Sequence, residues 1–325
     1  MLDRLSKETP SIKEGQETRE SLESIESLLH VREQYDTTLT ELNKAGLIIP
    51  LPETGSYGIV GFDGKEYPMP TYKEVLHKLE GQKEKLLPKI EQGFNKILIT
   101  PFALPLNTLV ERYKRLIREK HSKGKLLATK RSPEDPDTKL ELDTEDPVWF
   151  WDQHKDADTD GSLVYQPTSF SREHHGKTKK QLIEAGRSWD ISLIEDLPNL
   201  PAEGQGKIYP ERSIGALNKR KQLEANKSPN EYLKLTQTDQ NYKNESGFNP
   251  EQWLTLAITH MEATNEVLDD YQGNGKLAYL FGSYFPSSGF VPSACWVRFG
   301  RRVYLSRNDP DRRYPYYGGR SSVGV

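Results

Sequence analysis

The sequence predicts an α+β protein, mainly helical in its first part and strand-rich in its second. Three observations predict it. Apolar residues keep helical spacing in several segments before residue 125. Short β-branched and aromatic runs begin at Pro147. Side-chain chemistry then changes abruptly after Lys276. With 325 residues the chain is long enough for one large domain or two modest ones. A net charge of −3 argues against general nucleic-acid or membrane-surface binding.

Residues 1–20 are polar and are expected to fray. Residues 21–125 are expected to form a mainly helical region. Leu22, Ile25, Leu28 and Leu29 fit one helical stripe, so one or two amphipathic helices are expected over 21–47. Residues 48–70 mix Pro, Gly and short β-like runs, which suggests a loop with a small hairpin turning at Asp63-Gly64. Tyr72, Val75, Leu76, Leu79, Leu86 and Ile90 mark a helix over 71–92, with Pro88 as its expected break. After a short apolar stretch at 97–104, Leu109, Tyr113, Leu116 and Ile117 share a face of a helix over 107–120. Residues 126–146 are charged and rich in turn formers, and are expected to be a loop or linker.

Residues 147–325 are expected to form the second unit. VWFWD, GSLVYQP, ISLIEDLP and KLAYLFGSYF read as strands, and 203–230 as loop. Trp253, Leu254, Ala257, Ile258, Met261 and Val267 predict a helix from Pro250 to Tyr271. Asn249-Pro250 stands at its start, and Gly273 and Gly275 at its end. No apolar run is long enough to cross a bilayer, and the first residues lack the apolar core of a secretory signal. Synthesis in the cytoplasm is therefore expected, and assembly into a particle is compatible with it. Cys295 is the one cysteine, which excludes an intrachain disulfide and a cysteine-based zinc site.

The 49 residues from Leu277 to Val325 contain no Lys, Glu, Gln, Met, Thr or Ile. They hold 7 of the 18 arginines, at 298, 301, 302, 307, 312, 313 and 320. A solvated face accepts Lys and Glu freely, so solvation does not explain the switch. One explanation is selection for binding, because Tyr, Trp and Arg supply contact area and planar hydrogen bonding. The other is genetic. Randomising the adenines of AAC or AAU codons yields Tyr, Phe, Ser, Cys, Gly, Asp, Arg, Val and Pro, and excludes Lys, Glu, Gln, Met and Trp. The segment obeys this except at Trp296, which would then be fixed. An ordinary Arg/Tyr-rich terminal strand region is the plainer alternative.

The run GSYFPSSGFVPSACWVRFGRRVYLSRNDPDRRYPYYGGRSSVGV resembles the variable region of diversity-generating retroelement target proteins. VWFWDQHKDADTDGSLVY, ISLIEDLPNLPAEGQGK, RKQLEANKSPNEYLKL and GFNPEQWLTLAITHMEATNEVLDDYQGNG resemble the body of such proteins. The resemblance covers 147–325 and is weaker before it. It implies a C-type lectin fold of the formylglycine-generating-enzyme subtype, with a variable region over about 284–325. It also implies a non-enzymatic receptor or adhesin that binds varied ligands, often proteins on a cell or particle surface. The reverse transcriptase acts on the gene, not as a bound partner.

By position, the resemblance implies that Trp296, Arg298, Leu305, Asp309, Pro310, Gly318, Arg320 and Val323 are frame residues. Phe290, Ser293, Cys295, Val297, Phe299, Gly300, Tyr304, Ser306, Arg307, Asn308, Arg312, Arg313, Tyr314, Tyr316 and Tyr317 are the implied variable, ligand-binding positions. Ala294, Arg301, Arg302, Val303 and Asp311 stay unassigned. The variable side chains should point outward together. Trp296 should anchor a strand in the core, Arg320 should hold a neighbouring loop through several donors, and Pro310 and Gly318 should fix turns.

Other motifs carry less. Asp156, Asp158 and Asp160 match the first half of a calcium-binding EF-hand loop, but Pro167 stands where its last carboxylate belongs. A polar turn is the preferred reading, and no metal or cofactor is expected. His174-His175 lack carboxylates at ligand spacing and read as exposed loop. The basic stretch 107–130 reads as a solvated helix face. No Walker loop, GxGxxG or GxSxG occurs. Two rival functions remain: a catalytic member of the formylglycine-generating-enzyme-like fold, although one cysteine excludes a cysteine-pair mechanism, and a single-stranded nucleic-acid binder using the Arg/Tyr-rich tail.

Overall fold

The computed structural model describes residues 24–130, 134–135, 137–209 and 219–325. The polar stretch 1–20 lies outside them. Helices α1 (Ile25–Leu29) and α2 (Val31–Lys44) come first. They are separated by His30, which sits in the left-handed region at φ 49°. A small antiparallel sheet follows, made of β1 (Ile49–Pro50), β2 (Tyr57–Val60) and β3 (Glu66–Pro68). Its β2–β3 turn passes Asp63 and Gly64 (φ 76°), where the hairpin was expected; β1 is an additional strand.

The expected helix over 71–92 is two helices, α3 (Tyr72–Glu80) and α4 (Lys83–Glu91). The break falls at Gly81-Gln82, and Pro88 lies inside α4. There Pro88 removes a single ladder amide, while buried Leu86 and a buried Lys89, bonded to Glu245, Gln92 and the Asn241 carbonyl, hold the helix in place. Strand β4 (Lys96–Thr100) and helix α5 (Leu106–Ser122) complete this part. The 3.6-residue stripe of α5 is buried at Leu106, Leu109, Val110, Tyr113, Leu116 and Ile117. Among the described residues of 126–146 there is no helix and no strand beyond isolated bridges such as that of Leu127 to Lys139, yet Leu126, Ala128, Leu140 and Leu142 are buried.

Next come β5 (Val148–Phe150), α6 (Ala157–Asp160), β6 (Val164–Tyr165), β7 (Lys177–Thr178), α7 (Lys179–Glu184) and β8 (Asp190–Ile194). The expected loop over 203–230 contains the paired strands β9 (Ile208–Tyr209) and β10 (Arg220–Lys221), and helix α8 (Pro229–Thr238) follows. After β11 (Ser246–Gly247), α9 spans Pro250–Thr264, shorter than expected. Asn265 at φ 63° caps it, and the Asp270–Tyr271 segment leaves the helix to form β12. The expected strand KLAYLFGSYF is divided into β13 (Leu277–Tyr279) and β14 (Ser283–Tyr284). The chain closes with β15 (Val291–Val297), β16 (Arg302–Asn308), β17 (Tyr317–Gly319) and β18 (Ser321–Gly324).

The architecture is α+β. One sheet has the order β11-β18-β8-β4, another β17-β13-β15-β16-β5 with β12 also on β15, and a third β14-β6-β7. Helix α9 is buried on nearly every face, polar Glu251, Gln252, Thr255 and Thr259 included, and packs against α2, α5, β4 and β15. One apolar cluster runs from Ile25 to Val323. Among the described residues no helix is long and apolar enough to cross a membrane.

Candidate functional site

Strands β15 and β16 pair residue for residue, from Val291 opposite Asn308 to Val297 opposite Arg302. Successive side chains in a strand point to opposite faces, so this register sorts them. Ala294, Trp296, Val303 and Leu305 turn to one face and are buried, together with Ala278 of β13 and Val148 of β5. Ser293, Cys295, Val297, Tyr304, Ser306 and Asn308 turn to the other. Neighbouring strands add Tyr279 beside Ser293, Tyr271 beside Val297 and Trp149 beside Tyr304.

This second face is aromatic. The Tyr279 and Tyr317 rings stack at 4.7 Å. Tyr314, Tyr316 and Tyr317 lie 5.4–5.7 Å from one another, and Tyr271 lies 5.5 Å from Tyr316. Across the sheet, Trp149 packs 5.3 Å from Tyr304, and the Arg302 guanidinium sits 5.2 Å over the Tyr304 ring. Gly300 lies against that ring too, in the turn where Phe299 is 91% exposed. Arg312, Arg313 and Tyr316 are exposed at the face's other end. Arg313 is paired with Glu231, and Arg312 reaches the Tyr314 hydroxyl.

Four of the implied ligand positions behave differently. Ser293 and Cys295 lie on this face but are 2% and 1% exposed. Asn308 donates to Ser293 at 2.7 Å. Burial pushes the Cys295 thiol well up, so it presents no thiolate. Arg307 leaves β16 on the side of Leu305, opposite Pro292. Its guanidinium stacks 3.7 Å from the Phe290 ring and 4.8 Å from Trp151, so Phe290 and Arg307 form a separate cluster at the end of the β15–β16 pair.

The implied frame residues hold the face from behind. Trp296, Leu305, Pro310, Gly318, Arg320 and Val323 are buried. Arg320 forks onto Asp269 at 2.9 and 2.6 Å and donates to the Leu197 carbonyl at 2.8 Å. Asp269 also accepts from the Trp253 indole at 2.9 Å and the Leu200 amide at 3.2 Å. Arg298 forks onto the next residue, Asp270, at 2.9 and 2.7 Å. Asp309 accepts the Asp311 amide in a local turn, and the Pro310 carbonyl accepts from Asn230. Behind β16, buried His154 donates through Nε2 to the Ser306 carbonyl at 2.9 Å. It sits among Phe150, Trp151 and Phe285, and burial lowers its pKa to about 4, which keeps it neutral.

Asp156, Asp158 and Asp160 have separate partners. Buried Asp158 accepts from Lys179 at 2.5 Å and the Leu106 amide at 3.0 Å. Lys179 also meets Glu251 at 2.9 Å, and Tyr165 donates to Glu251 at 2.6 Å. Asp156 accepts from Asn107, and Asp160 from the Ser162 amide. The His174 ring accepts the Gly176 amide within its own turn. Among the described residues no group of three or more His, Cys, Asp or Glu side chains is placed to hold a metal.

Sequence reasoning missed Trp149, Tyr271 and Tyr279 on the face, and Asp269-Asp270 beneath it. Period-two alternation within VWF and LAYLF was the available signal for Trp149 and Tyr279. Compared with family models, curated proteins and solved structures, the chain matches none.

Proposed function

We propose that the protein binds protein ligands through the tyrosine-rich face of β15, β16 and β17. In this reading the face is diversified by retroelement-directed adenine mutagenesis on a C-type lectin fold of the formylglycine-generating-enzyme-like subtype, and the protein is a receptor or adhesin. The observation that carries the reading is how the strand pair sorts its residues. The outward residues Val297, Tyr304, Ser306 and Asn308, with Phe299, Arg312, Tyr314, Tyr316 and Tyr317, all belong to the set reachable from an AAC or AAU codon. Trp296, which that set excludes, is fully buried. A surface that accepts changing side chains needs its backbone held by other residues, and the Arg320–Asp269 and Arg298–Asp270 forks supply that.

The rival readings draw less support. An enzyme calls for an enclosed pocket of converging polar groups, whereas this face is open and aromatic. A single-stranded nucleic-acid binder needs free cations, yet Arg298, Arg302 and Arg313 are paired with carboxylates. The test is interferometry against a panel of purified cell-surface proteins. A ligand found there should lose at least about tenfold in affinity on Tyr304→Ala, Tyr314→Ala or Tyr316→Ala, with an unchanged melting temperature. Affinity unaffected by all three substitutions would contradict the assignment of this face.

A further inference from the structure

Helix α5 lines an open groove with Asn107, Thr108, Glu111, Arg112, Arg115 and Arg118. Its arginines are arranged unlike most others in the protein. Arg187, Arg220, Arg298, Arg302 and Arg320 each form a salt bridge with a carboxylate. Among the described residues, Arg112, Arg115 and Arg118 form none. Arg118 is held by the Thr144 and Glu145 carbonyls, both at 3.0 Å, and Arg115 by the Ala45 carbonyl at 3.1 Å. Arg112 has no hydrogen-bond partner among the described residues.

Arg112 and Arg115 converge over Gly46, just past the end of α2. A Cβ placed on Gly46 would lie 2.7 Å from Arg115 Nη2 and 3.3 Å from Arg112 Nη1, so the two guanidinium groups come within about 6 Å of each other. Glycine at φ 67° leaves that space open. Burial, and then the charge of Arg115, both lower the pKa of Arg112. Glu111 at the rim is engaged by Lys114 at 3.1 Å.

We propose that this groove binds a multiply charged oxyanion of the phosphate class, at a site distinct from the tyrosine face. A phosphoryl group in front of Arg112 and Arg115 removes their mutual repulsion and offers oxygens that match the planar guanidinium fork. The carbonyl contacts of Arg115 and Arg118 fix two of the three cations beforehand, which lowers the ordering cost of binding. Arg118 follows Arg115 by about 4.5 Å along the helix axis, so a second phosphoryl group has a cation to meet.

Titration calorimetry with inorganic phosphate and with pyrophosphate tests the proposal. Saturable binding is expected for both, tighter for pyrophosphate. Arg112→Gln should weaken it by at least about tenfold, and Arg112→Lys, which keeps the charge and loses the fork, should weaken it less. Lys114→Gln, which leaves Glu111 unpaired at the rim, should weaken it too, but by less than Arg112→Gln. Thermal melting of each variant confirms that it is folded. No saturable heat with either anion up to about 10 mM would overturn the proposal, and so would undiminished binding by folded Arg112→Gln.

Discussion

His154 shows how one side chain holds the back of the face. Its ring is buried in an aromatic cage, and its Nε2 proton goes to the Ser306 carbonyl in the middle of the outward-facing strand. The folded pKa of about 4 lies below the ordinary histidine value. Between that ordinary value, near 6.5, and about 4, the unfolded chain binds a proton that the folded chain refuses. Stability from this residue is therefore full above pH ~6.5 and is lost as pH falls towards 4, by on the order of 3 kcal/mol. Carboxylates and the partly buried His260 titrate in the same range. The readout is accordingly the difference between the protein and His154→Phe in urea denaturation. The variant should lose less stability on acidification, and parallel pH profiles would contradict the assignment.

At the scale of elements, β15 and β16 divide their residues between two tasks, and substitutions should divide likewise. Trp296→Ala opens a cavity beneath the sheet and should cost about 3–5 kcal/mol. Tyr316→Ala removes an exposed ring and should stay within about 0.5 kcal/mol. Similar losses for the two in chemical denaturation would show that the face is not separable from its support. Part of this division was legible in the sequence. Trp296 stood out as the residue that adenine changes cannot produce, and Arg320 as a candidate clamp. Its partner was not legible, because Asp269 lies 51 residues away and only the folded chain brings them together. Ser293 and Cys295 follow the expected alternation yet are buried, which alternation alone does not reveal. Helices α7 and α8 start on the reciprocal caps Thr178–Gln181 and Ser228–Glu231, both visible as short motifs. The end of α9 depends on the left-handed Asn265, which the apolar spacing does not reveal.

Over the whole molecule, the helical first part and the strand-rich second part share one core. Strand β4 pairs along its length with β8, and α9 lies against elements of both. Buried Lys179 ties the start of α5 to α6 and α9 through the Leu104 carbonyl, Asp158 and Glu251. The α+β class was readable from hydrophobic period. This shared packing was not, because the charged stretch 126–146 conceals buried Leu126, Ala128, Leu140 and Leu142. Such a body suits a surface whose chemistry changes while its backbone does not. On the proposed function, the outward residues of the last strands are replaced by a genetic process that spares the frame. Sequencing the DNA that flanks the gene, beside the 3′ end of the gene itself, tests it most directly. The expected result is a template repeat that differs from the gene only at template adenines, in codons such as those of Phe299, Tyr304, Ser306, Tyr314 and Tyr316, with the codons of Trp296 and Arg320 unchanged. Flanking DNA without such a repeat, or differences falling equally on the frame codons, would contradict it.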